Sequence, residues 1–127
     1  MSDAALQVVF DHLHARRMRD AGAVEASLDP GVVHQGVIPS LVCNGRDAVM
    51  ERMHSRIEDI GTGIERLELI AAGERVIVGV AGPRFDEVPF LDGEIFMLFT
   101  MRDGRIVRID DYRSREEAIR AAEVPAR

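Results

Sequence analysis

Apolar residues recur every three to four positions in the first half of the chain and every second position from residue 64 onward, so the sequence predicts helices first and strands afterwards. A first helix opens at Ser2 and carries Leu6, Val9, Phe10 and Leu13 at helical spacing, with Arg16, Arg17 and Arg19 gathered where cations suit the helix dipole. Asp20 starts a shorter helix over 21–28, and Asp29-Pro30-Gly31 reads as a turn that ends it. Residues 32–37 and 41–43 read as two short strands interrupted by Pro39. Asn44-Gly45-Arg46-Asp47 opens a third helix with Val49, Met50, Met53 and Ile57 on one side, stopping before Gly61. Four strands are predicted at 64–72, 75–81, 93–102 and 105–112, joined by Gly73-Glu74, by a longer connection over 82–92 and by Asp103-Gly104. Ser114, with Glu117 three residues later, caps a closing helix bearing Ala118, Ile119 and Ala122.

Helices followed by a run of antiparallel strands predict an α+β fold with helices covering one face of the sheet. A ferredoxin-like arrangement is the alternative, and it would alternate its elements instead. The strands are apolar on both sides: Phe96 and Leu98 point one way, Ile95, Met97, Phe99 and Met101 the other. The outer face therefore needs its own cover, and a homodimer through that face is the expected source.

With 127 residues, of which 46% are hydrophobic, the chain is expected to form one domain over 1–127. A net charge of −6 disfavours nucleic acid. No apolar run approaches the ~18 residues of a membrane span, and the single cysteine excludes an internal disulfide, which together predict a cytoplasmic protein without a membrane partner. All sixteen basic residues are arginine, so lysine Schiff-base and P-loop chemistry are out of reach. Gly61-Thr62-Gly63 lacks dinucleotide-fingerprint spacing, and no cofactor is expected. His12 and His14 stand two apart on a helix and face different directions, so no metal is expected either.

Strand alternation places Val107, Ile109 and Asp111 on one side and Ile106, Arg108, Asp110 and Tyr112 on the other. Asp111 at the end of an apolar wall is a candidate acid or base; the structural alternative is an aspartate that caps the helix at Ser114 or pairs with an arginine. His34, mid-strand, is a candidate proton partner, or else a structural histidine bonded to a carbonyl. Arg84 is the cation expected to stabilise developing negative charge at a pocket mouth, or else a solvated hairpin arginine. Phe10, Val107, Ile109, Cys43 and Met53 are the expected pocket lining, with Cys43 read as a small buried residue, not a nucleophile.

Three stretches carry a resemblance to a known superfamily: the strand Val32-Val33-His34-Gln35-Gly36, the junction Cys43-Asn44-Gly45-Arg46-Asp47-Ala48-Val49, and the hairpin Arg102-Asp103-Gly104-Arg105 through Asp111-Tyr112. Together with the order of elements they resemble the nuclear transport factor two-like superfamily, and within it the SnoaL-like domains. The resemblance implies a cone-shaped roll in which a curved, mostly antiparallel sheet wraps around N-terminal helices, with a pocket at the open end and frequent homodimerisation. It also implies the pocket-carboxylate chemistry of isomerases, polyketide cyclases and epoxide hydrolases. Asp111 takes the position of the last-strand acid, in Ile109-Asp110-Asp111-Tyr112-Arg113-Ser114 where the hydrolases show Trp-Arg-Asp-Tyr-Phe-Asp. The cyclases' His-x-Asp pair becomes Ile109-x-Asp111, and Arg84-Phe85-Asp86 has the spacing of the hydrolases' Arg-x-Asp. The expectation is an apolar pocket for a small organic molecule with cofactor-free acid–base chemistry; the alternative is a non-catalytic small-molecule-binding or dimerisation module.

Overall fold

The computed structural model describes residues 2–54, 66–82 and 93–124. Its elements are α1 (Ser2–Arg17), α2 (Ala21–Ser27), β1 (Leu28–Gln35), β2 (Val42–Asn44), α3 (Arg46–His54), β3 (Arg66–Ala72), β4 (Arg75–Ala81), β5 (Glu94–Arg102), β6 (Arg105–Tyr112) and α4 (Arg115–Ala122). The six strands form one sheet in the order β2-β1-β6-β5-β4-β3. All neighbours are antiparallel except β1 and β6, which run parallel. The architecture is an α+β roll with a curved, unclosed mixed sheet, as the sequence predicts.

The turns and caps follow local chemistry. Asp103 (φ 54°) and Gly104 (φ 77°) both take positive φ between β5 and β6, the conformation a two-residue hairpin needs to match strand twist. The Asp20 and Ser114 side chains accept from the backbone N–H groups of Ala23 and Glu117, each at 3.1 Å, and so start α2 and α4.

The inner face of the sheet holds the main core: Val76, Val78, Val80, Phe99, Ile106 and Ile109 pack against Ala5, Val9 and Ala15 of α1 and Val49 and Met53 of α3. The outer face carries a second cluster, in which Ala118 of α4 packs on Ile77, Phe96 and Leu98. Part of the cover that the sequence reading assigned to a partner subunit is thus supplied by the chain's own closing helix. On that face the Phe96 ring lies against the backbone of its cross-strand partner Gly79, where an added Cβ would meet ring carbons at 2.7 and 2.9 Å.

Three local readings need correction. Asp29-Pro30-Gly31 makes its turn-like bond, Gly31 N–H donating to Asp29 Oδ2 at 2.9 Å, yet it lies inside β1. The ladder to β6 is irregular between Leu28 and Val33, so the missing N–H of Pro30 costs no ladder bond there. In β6 the pairing shifts so that Met101 opposes Ile106 while Thr100 opposes Arg108, leaving Val107 as an extra residue. This bulge turns Ile106 into the core and puts Val107 on the outer side, apart from Ile109 and Asp111. The buried stripe of α1 is Ala5, Val9, His12 and Ala15, and Phe10, about 100° around the helix from Val9, is 58% exposed and stacks on His14 instead of lining a pocket.

Candidate functional site

The parallel pairing of β1 with β6 creates the site. It sets His34 beside Ile109, so the imidazole rises on the same inner face as Ile109 and, two residues on, Asp111. The row continues across the sheet: Cys43 pairs with His34 on one side, and Phe99 then Val76 follow Ile109 on the other. His34 Nε2 lies 2.9 Å from Oδ1 and 3.0 Å from Oδ2 of Asp111, and the two side chains are 12% and 5% exposed. A carboxylate only accepts, so Nε2 carries a hydrogen, and in the neutral imidazole Nδ1 is the atom with the bare lone pair. Nδ1 is buried and has no hydrogen-bond partner among the described residues.

An imidazole held by one nitrogen and bare at the other can act as a general base with its orientation set. The carboxylate fixes the tautomer and stabilises the imidazolium formed when Nδ1 takes a proton. His34 is the direct ladder neighbour of Ile109, the position at which the resemblance places an imidazole.

The remaining expected residues divide. Ile109, a member of this row, is 1% and Met53 3% exposed, and both belong to the core. Cys43 packs at the core edge, half-buried, with Arg52 Nη1 3.9 Å from its Sγ, and also lines an open pocket of about 590 Å³ with Leu41, Val42, Ala48 and Glu51. Val107 lies on the outer side with Arg108 and Tyr112. Arg84, with Phe85 and Asp86, lies outside the described residues. A hollow of about 350 Å³ at the end of β6 is lined by Gln35, the stretch 36–39, 110–113 and Glu117. No group of three His, Cys, Asp or Glu side chains among the described residues is placed to hold a metal.

The sequence reading missed His12. It is completely buried, with its ring edge-on to Phe99 at a centroid distance of 5.7 Å. The Ser27 hydroxyl donates to the Val24 carbonyl at 2.6 Å, so at 2.8 Å from His12 Nδ1 its oxygen must be the acceptor. His12 therefore carries its hydrogen on Nδ1, and Nε2, also buried, has no hydrogen-bond partner among the described residues. Burial above all, then the positive charge of Arg16 and then His34, push the imidazole down to about 3. The usable signal was spacing: His12 stands three residues after Val9 and seven after Ala5, on the face those two bury.

No protein-family model matches the sequence, and no curated protein matches it. Solved structures do match. A provisionally assigned polyketide cyclase from Sinorhizobium meliloti superposes with a TM-score of 0.65 at 22% identity, over 84% of this chain and 94% of its own. An NTF2-like protein of unknown function from Burkholderia pseudomallei gives 0.56 at 23% identity, over 98% and 100%. TerC, co-crystallised with polyporic acid, gives 0.60 at 18% identity, over 95% and 99%. The chain has the fold these proteins share, that of the nuclear transport factor two-like (NTF2-like) superfamily.

Proposed function

We propose that this is a SnoaL-like domain that takes a small organic molecule against the inner face of its sheet and moves a proton without a cofactor, His34 acting as the base and Asp111 as its positioning partner. The single observation that carries the reading is the buried His34–Asp111 pair with Nδ1 left bare. A buried polar atom without a partner carries a desolvation cost, which a ligand donor placed against it relieves. The TM-scores to the S. meliloti protein and to TerC support the fold, and the provisional assignment of the first as a polyketide cyclase and the co-crystal of the second with polyporic acid favour an oxygen-rich cyclic ligand. Arg84 remains part of the proposal as the cation for a developing enolate or phenolate.

A substrate-independent assay tests it. In the Kemp elimination of 5-nitrobenzisoxazole a base removes the C3 proton, the N–O bond breaks, and the electron pair leaves on the phenoxide oxygen as the nitrile forms. The folded chain is expected to accelerate this reaction over free imidazole. His34→Gln, which still donates to Asp111 but has no basic nitrogen, is expected to lose about 10²–10⁴-fold. A wild-type rate in that variant overturns the assignment, and no acceleration by the wild type leaves the binding or dimerisation module.

A further inference from the structure

We infer that His12 is a second ligand-binding residue: its bare Nε2 and the bare Nδ1 of His34 together accept hydrogen bonds from one small molecule carrying two hydroxyl donors. The inference rests on the proposed function above and adds to it a residue and a donor pattern for the ligand.

Both imidazoles are anchored by one nitrogen only. His12 is tied through Nδ1–H to Ser27, whose own hydrogen goes to Val24, and His34 through Nε2–H to Asp111. In the neutral rings these bonds fix the tautomer, and each bare nitrogen is then a hydrogen-bond acceptor. Both atoms are fully buried, and neither has a hydrogen-bond partner among the described residues. Two unpaired acceptors in one interior are costly, and the ligand that relieves both must bring donors, not acceptors.

Their placement makes a shared ligand feasible. His12 sits over Phe99, and Phe99, Ile109 and His34 are successive ladder partners on β5, β6 and β1. Two ladder steps of ~4.8 Å separate the Phe99 and His34 backbone positions by about 10 Å, and the two imidazoles lie near enough for the charge of His34 to act on His12. A cation is the less suitable occupant, because the charge of Arg16 is already felt at His12. The same burial that lowers the basicity of His12 keeps it neutral near pH 7, so its lone pair is available to a hydroxyl there.

Resorcinol, with two hydroxyls on one ring, and 1,3-dimethoxybenzene, the same ring without donors, are the probes for ligand-observed NMR titration. The wild type is expected to bind resorcinol more tightly than the ether. His12→Leu is expected to weaken resorcinol roughly five- to tenfold without weakening the ether, whose oxygens only accept. Ser27→Ala, a milder change that releases the His12 tautomer, is expected to weaken resorcinol in the same direction by a smaller factor. Equal affinity of the wild type for the two probes, or resorcinol affinity unchanged in the two variants, overturns the inference. The base assignment of His34 is judged separately by the Kemp elimination, so either reading fails without the other.

Discussion

Acid should destabilise this fold through His12. The imidazole is completely buried and pushed down to about 3 from an ordinary 6.5, whereas the unfolded chain titrates near the ordinary value. The sign follows from proton counting: between those two values the unfolded state binds the proton and the folded state does not, so stability falls as pH falls. The loss begins as pH drops through 6.5 and levels off near 3. At about pH 4.5, two units below the unfolded value, it amounts to roughly 2.7 kcal/mol, a large share of the ~5–15 kcal/mol that holds a domain together. Urea unfolding of the wild type and His12→Leu, each near neutral pH and at about pH 4.5, isolates the contribution, because the carboxylates common to both cancel in the difference. The wild type is expected to lose roughly 2.7 kcal/mol more than the variant. Parallel pH profiles would refute the reasoning, since the buried imidazole would then be indifferent to acid.

Other substitutions probe other parts of the account. Gly79→Ala forces a Cβ into the Phe96 ring and is expected to lower stability by about 1–3 kcal/mol in thermal or urea unfolding. Ser114→Ala removes the acceptor for the Glu117 N–H and should cost about 1 kcal/mol by the same measurements. Met53→Ala should cost about 2–5 kcal/mol, since that side chain is 3% exposed. Phe10→Ala, at a site 58% exposed, should stay within about 0.5 kcal/mol, and a loss comparable to that of Met53→Ala would contradict the placement of α1.

What the sequence disclosed was local. The strands around 66–72, 75–81, 94–102 and 105–112 were legible because their alternation and the Gly73-Glu74 and Asp103-Gly104 turns agree, and the closing helix because Ser114 announces it. The bulge in β6 has no glycine or proline to mark it, so strict alternation put Val107 on the wrong side. Asp111 and His34 were each readable as candidates, but their contact joins residues 77 apart and depends on the parallel β1–β6 pairing, which no local pattern encodes. His12 stayed hidden because the larger Leu6, Phe10 and Leu13 drew the apolar stripe away from the face that Ala5, Val9 and Ala15 bury.

The ring nitrogens of His34 offer the most direct test of the central claim. Long-range ¹H–¹⁵N spectra of histidine-labelled protein near neutral pH are predicted to show His34 protonated at Nε2 and bare at Nδ1, and Asp111→Leu is predicted to release that tautomer preference. A His34 protonated at Nδ1 in the wild type, or a ring spectrum indifferent to the loss of the Asp111 carboxylate, would contradict it.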